Sequence, residues 1–276
     1  MKIFSFTILN FRIVCSRRDS NPSLRRERPK CLTGLHYRSL KFRLYQSIKL
    51  FVITSFFILN PRTSLMGSLI KRIDQIIEEK SLLKHPFYEM WSDGKLELES
   101  LKGYSKEYYQ LVKQVPQFME PLVNDAAPEM KDELIQNMKE EAEHIPLWEK
   151  FAGSMGISES ELQGYEGLEK TNKAVSNLDS LMNSYDNGAC AMYAFEKEIP
   201  KVSQTKLEGL KEFYGIDTKD ATEYFEEHMT ADIRHAASWE KVINDTKLDD
   251  SLMLSTAQKS VDAQNLLLDS CYEAYC

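Results

Sequence analysis

Residues 66–276 predict an all-α bundle of about seven helices, on three observations. Apolar residues recur at three- and four-residue spacing through most of the segment. No β-rich run of convincing length interrupts them, and the intervening stretches are short. The segment is also long enough for one domain with a substantial core. Taken in order, Leu69, Ile70, Ile73, Ile76 and Ile77 lay an apolar stripe on a helix over Leu69–Leu83. Ser92-Asp-Gly94 breaks the chain before a helix over Leu96–Val123. Pro128, at a favoured first position, opens a third helix that Gly156 ends near Met155. Ser158-Glu-Ser-Glu161 then puts a cap and acid into the next first turn. Further helices are expected over 168–199, 201–214, 218–244 and 249–272, with Gly215 capping the one before it.

The chain has 35 basic and 42 acidic residues, a net charge of −7, and the balance is uneven. Residues 1–65 hold 13 Lys and Arg against two acids, leaving 22 basic and 40 acidic residues for 66–276. That jump marks a boundary, with 1–65 as a basic extension and 66–276 as the working domain. The extension has an Arg-rich tract from Ser16 to Pro29 and an apolar run over 50–59. That run is about half the roughly 20 residues a membrane-spanning helix requires. Arg12 interrupts the first apolar stretch and no small-residue cleavage site follows, so a secretory signal fits poorly. The tract from Ser16 through Tyr37 resembles a transfer-RNA gene read as protein, which predicts a working start at Met66. A genuine basic tail or organelle-targeting peptide is the alternative.

The acidic domain excludes nucleic acid as an expected partner, since phosphate recognition needs a basic footprint. Five cysteines without zinc spacing and in odd number point to a reducing cytoplasm rather than a disulfide framework. No membrane partner is expected, and a homodimer is left open.

The octet His228-Met-Thr-Ala-Asp-Ile-Arg-His235 carries the chemistry. His228, Asp232 and His235 stand at i, i+4 and i+7, within about 60° of one another around a helix. Two imidazoles and a carboxylate on one stripe suit a first-row transition metal. Glu141 and His144 form Glu-x-x-His, with Glu140 as an alternative ligand one residue earlier. Glu196 is an acid flanked by Ala194 and Phe195, and burying it is costly unless it is paired or bound. Helix-bundle sites for two metals draw such groups from several helices, and here His228 would stand where a fourth carboxylate is usual. Mixed nitrogen and oxygen ligands suit iron or manganese. Pro146 and Pro200 each deny a hydrogen bond to the carbonyl four residues earlier, predicting kinks beside Ala142 and Glu196. Most aromatic residues, including Tyr104, Tyr108 and Trp239, read as core.

The segments running from Leu83 to Leu96, Tyr104-Ser-Lys-Glu-Tyr-Tyr109, Tyr193-Ala-Phe-Glu-Lys-Glu-Ile-Pro200 and the octet resemble the family of the chlamydial protein associating with death domains (CADD). That family is a para-aminobenzoate-making branch of the haem-oxygenase-like TenA/PqqC superfamily, and the likeness spans about 68–272. It implies a seven-helix haem-oxygenase-like bundle holding two transition-metal ions, iron with iron or iron with manganese. It also implies use of O2 and an external reductant to make para-aminobenzoate for folate biosynthesis. The ring would come from the protein's own Tyr88, the nitrogen from Lys206, with Tyr104 a second tyrosine near the site. Two departures stand out. The family's Glu and His in the third helix are further apart, so the metal ligand is Glu140 or Glu141. Phe195 stands where the family has tyrosine. Competing readings are a di-metal oxidase for an external small substrate, a PqqC- or TenA-like enzyme of cofactor biosynthesis, and a non-enzymatic interaction module. Cys190 shows no evident base partner for the TenA-like nucleophile.

Overall fold

The computed structural model describes the backbone of residues 61–276 and the side chains from Leu69 onward. The expectations for residues 1–60 lie outside the described residues; Pro61–Leu65 belong to the first turns of a helix that continues through Met66. All described regular structure is helical, with no strand among the described residues. No described helix is long and apolar enough to cross a membrane.

Eleven α-helices are described: α1 (Pro61–Glu79), α2 (Pro86–Ser92), α3 (Leu98–Val112), α4 (Val115–Asn124), α5 (Pro128–Ser154), α6 (Glu159–Gln163), α7 (Glu169–Asp179), α8 (Tyr185–Glu196), α9 (Ile199–Phe213), α10 (Lys219–Asp245) and α11 (Asp250–Tyr275). The excess over seven has local causes. The expected helix over 96–123 divides at Lys113-Gln114, because Pro116 cannot donate to the carbonyl of Val112. The stretch over 168–199 divides at 180–184, where a run bounded by Ser180 and Ser184 separates α7 from α8. The helix expected over Leu69–Leu83 stops at Glu79. Buried Glu198 takes the Ser81 hydroxyl and the Leu82 N–H (2.8 Å), drawing the chain into a single 3-10 turn, Leu82–Lys84. α2 follows, with Pro86 in its first turn and the His85 ring capping Phe87 N–H at 3.1 Å. Pro200 terminates rather than kinks: α8 ends at Glu196 and α9 starts at Ile199, with the proline in its first turn. Pro146 remains inside α5.

Other boundaries match the sequence reading. Gly156 at φ +84° reverses the chain after α5, so that Ile157 N–H reaches the Ala152 carbonyl at 3.1 Å. Ser158 caps α6 by accepting from Glu161 N–H at 3.2 Å. Gly215 at φ +64° closes α9, returning Ile216 N–H to the Leu210 carbonyl at 2.9 Å.

Two long helices organise the packing. α10 lies against α5, α8 and α9, whereas α11 lies against α1, α3, α7 and α8. α9 also touches α2, and α3 touches α5. Trp91, Trp148 and Trp239 are fully buried in one continuous core. α5, α8 and α10 therefore meet on one side of that core, and α2, α3 and α9 meet beside them.

Candidate metal centre

The buried stripe of α10 reads Ala221, Phe225, His228, Asp232, His235, Trp239 and Val242. Three polar side chains thus occupy positions that a helix ordinarily gives to the core, at a desolvation cost that partners must offset. α5 faces them with Glu141 and His144, and α8 ends on Glu196. All six are nine-tenths or more buried.

Their donor atoms fall into two groups that share one residue. Glu141, His144 and His228 form the first, and Glu141, Asp232 and His235 the second; within each, one donor atom per residue lies within 4.8 Å of the others. Glu141 turns Oε2 toward His144 Nδ1 (3.3 Å) and Oε1 toward His235 Nδ1 (3.1 Å). Asp232 Oδ1 stands 3.6 Å from the same His235 nitrogen. The His144 and His228 rings lie with centroids 4.1 Å apart. Glu196 belongs to neither group, yet it lines one cavity with Glu141, His228 and Asp232, together with Tyr108, Tyr224 and Phe195. Its Oε2 accepts from Trp239 Nε1 at 2.8 Å. Glu140 belongs to neither group; it contacts His235 from the far side of the ring, at Nε2 (2.9 Å), and Arg234 at 3.1 Å.

The charges are in tension. Burial opposes ionisation of Glu141, but the imidazoles of His144 and His235 outweigh it and hold its carboxyl well below the usual range. Burial, then the neighbouring Asp232 and Glu141, pushes Glu196 well up, against a smaller pull from Trp239. Asp232 is likewise pushed up by burial and by Glu141. Burial and His144 push His228 down to about 3, leaving a neutral ring whose Nδ1 faces the Tyr224 carbonyl at 2.7 Å. Glu196 Oε1, Asp232 Oδ2 and His235 Nδ1 are buried without a hydrogen-bond partner among the described residues. Three carboxylates, three imidazoles and three orphaned donor atoms fit a pair of divalent ions, and the absence of thiolate fits iron or manganese. Cys190 is no part of this set, since its thiol donates to the Met253 carbonyl at 3.2 Å.

A second cluster adjoins the first. Tyr88, on α2, and Tyr104, on α3, share a hydroxyl contact of 3.0 Å, and Lys206, on α9, donates to the Tyr104 hydroxyl at 2.5 Å. The Lys206 ammonium lies 5.0 Å from the Tyr88 ring centroid, 4.9 Å from Tyr104 and 4.7 Å from Tyr108. Burial among these rings lowers Lys206 to about 7. Burial first, and neighbouring phenols next, push Tyr88 and Tyr104 well above the usual range. Tyr108 joins the clusters: its ring centroid is 5.3 Å from Tyr104, and it also lines the cavity beside Glu141 and Asp232. Sequence reasoning placed Tyr108 and Trp239 in the core without assigning either a site role. The i, i+4 spacing of Tyr104 and Tyr108 was the available signal for the first; Trp239, four residues after His235 on the ligand stripe, was the signal for the second.

Comparison with known proteins agrees with this architecture. Residues 102–265 match the family described as iron-containing redox enzyme. The chain is 33% identical over 201 residues to a 4-aminobenzoate synthase of Chlamydia muridarum, covering 70% of this chain and 85% of that protein. It is 30% identical over 225 residues to a 4-aminobenzoate synthase of Nitrosomonas europaea, covering 75% and 92% respectively. Among solved structures, a TenA homologue from Pseudomonas syringae superposes with TM-score 0.65 at 17% identity, covering 75% of this chain and 92% of that one. A CADD-like protein of unknown function from Nostoc punctiforme gives 0.63 at 18% identity, covering 77% of this chain and all of the other. An all-helical fold of TenA and haem-oxygenase-like type, and two relatives at 30% identity or more covered over most of their length, lead to one conclusion: this chain is a member of the iron-containing redox enzyme family.

Proposed function

We propose that the protein makes 4-aminobenzoate in an O2-dependent reaction at a di-metal centre, taking the aromatic ring from its own Tyr88. The proposed ligands are Glu141, His144, Glu196, His228, Asp232 and His235. A bound pair of iron ions, or iron with manganese, would supply O2 activation and oxidising power, with electrons from an external reductant. The protein's own residues do the rest. Tyr104 fixes the Tyr88 hydroxyl by the 3.0 Å contact. Lys206, lowered to about 7 by burial, holds a substantial neutral fraction at neutral pH, the form in which an amine nitrogen can be transferred. The closed core shields the tyrosine–lysine cluster from bulk water, since Tyr88, Tyr104 and Lys206 are all nearly inaccessible.

The observation that carries this reading is the adjacency of the buried Tyr88–Tyr104–Lys206 cluster to the six-residue centre, with Tyr108 touching both sides. It also favours an internal over an external substrate. The cavity among Glu141, Glu196, His228 and Asp232 has room for about one water molecule, far too little for an aromatic acid.

The test is mass spectrometry of the iron-loaded chain before and after exposure to O2 and reductant. The expected outcome is 4-aminobenzoate together with a mass deficit in the peptide containing Tyr88, and loss of both in Tyr88→Phe. Product formed from an unchanged peptide, or at full yield by Tyr88→Phe, would sink the internal source and transfer the role to an external substrate.

A further inference from the structure

The consecutive glutamates Glu140 and Glu141 contact opposite nitrogens of the His235 ring, and only Glu141 meets both donor groups. Glu141 presents an oxygen to each. The other carboxylate lies behind His235, with Oε2 2.9 Å from its Nε2. His235 therefore has one nitrogen occupied by Glu140 and the other, Nδ1, aimed at Glu141 and Asp232 with no hydrogen bond. An imidazole whose Nε2–H donates a hydrogen bond to a carboxylate keeps its lone pair on Nδ1, and the carboxylate fixes the plane of the ring. We propose that Glu140 is a positioning residue: it holds His235 in the tautomer and orientation that present Nδ1 to the ion shared with Glu141 and Asp232.

The surroundings of Glu140 favour that role over a simple surface ion pair. Its carboxylate is held from three sides, by His235, by Gln136 Nε2 at 3.1 Å and by Arg234 at 3.1 Å. Arg234 is largely exposed, and an exposed pair of this kind contributes little by itself. The His235 side chain, in contrast, is fully buried, so the contact to it operates out of water. Gln136 and Arg234 thus orient the carboxylate, and the carboxylate orients the ring. The inference rests on the di-metal reading above and resolves which of the two glutamates binds: Glu141 is the shared ligand and Glu140 stands behind a ligand.

The experiment measures Mn(II) binding to the full chain by competition with a fluorescent chelator, for wild type, Glu140→Gln, Glu140→Ala and Glu143→Gln. Glu143 is an exposed acid on the same helix outside both groups and controls for general loss of negative charge. Glu140→Ala should weaken one of two bound ions by about 10- to 100-fold and leave the other unchanged. Glu140→Gln should lose less, because its amide oxygen still accepts the Nε2 proton. Glu143→Gln should match wild type. Nitrogen-15 spectra of the zinc-loaded protein should show His235 protonated at Nε2 in wild type and Glu140→Gln, and that signature disturbed in Glu140→Ala. Equal losses in Gln and Ala would make Glu140 itself a ligand and overturn the proposal. Undiminished affinity in Glu140→Ala would overturn it in favour of a surface pair, with the metal reading intact. Wild type that binds no manganese would overturn both.

Discussion

Lys206 holds a costly buried position. An amine enclosed by Tyr88, Tyr104, Tyr108 and Phe225, with one hydroxyl as hydrogen-bond partner among the described residues, resists carrying charge. Its folded pKa of about 7 lies below that of an unfolded lysine. The unfolded chain therefore binds the extra proton first, and stability falls as pH drops from about 10.5 toward 7, then levels off. At neutral pH the cost is of the order of 4 kcal/mol. Lys206→Met should accordingly raise the melting temperature at pH 7, flatten the pH dependence of unfolding between pH 7 and 10, and abolish product. Thermal melts across that range decide it; a destabilised Met variant would mean that the bond to Tyr104 outweighs desolvation. Little of this was legible in spacing, because Lys206 alone reads as a solvated helix lysine. Its assignment, like that of Tyr88, came through family likeness, and only packing shows four rings around it.

At the scale of the element, α10 shows what could be read directly. A stripe that runs Ala, Phe, His, Asp, His, Trp, Val at alternating three- and four-residue steps departs from apolar in its middle, and three polar residues there are visible without coordinates. A helix built this way gives up folding energy by burying polar groups. Asp232, pushed up by burial and by Glu141, marks the strain. Replacement by leucine should stabilise the metal-free protein, since it removes a carboxyl that burial and Glu141 disfavour, while removing one bound ion. Calorimetry with and without chelator checks both halves, and a less stable metal-free Asp232→Leu would count against the electrostatic account. Helix interruptions were harder to read. Pro116 divides α3 from α4, and Pro200 coincides with the end of α8 instead of bending it. A proline announces a disturbance, whereas tertiary partners such as Glu198 at Ser81 and Leu82 decide whether the helix bends, stops or restarts.

For the whole molecule, convergence is the property that no single segment contains. Glu141, Glu196 and Asp232 come from three helices, and their shared cavity exists only because α10 packs on both α5 and α8. Fold class and candidate donors were legible one helix at a time; which glutamate faces inward was not, since a one-residue step on α5 turns a side chain by about 100°. If the proposed centre holds metal, folding of the whole domain should depend on cations. Adding Fe(II) without O2, or Mn(II), should stabilise folding by about 2.7 kcal/mol per bound ion at a hundredfold excess over the dissociation constant. Scanning calorimetry should show the melting transition move upward and return on chelation; an unmoved transition would exclude binding confined to the folded state. One asymmetry then acquires meaning. Glu141, His144 and His228 offer two nitrogens and one oxygen, whereas Glu141, Asp232 and His235 offer one nitrogen and two oxygens. On the proposed two-metal reading, a harder, oxygen-preferring cation would gain most beside Asp232 and a more nitrogen-loving one beside His228.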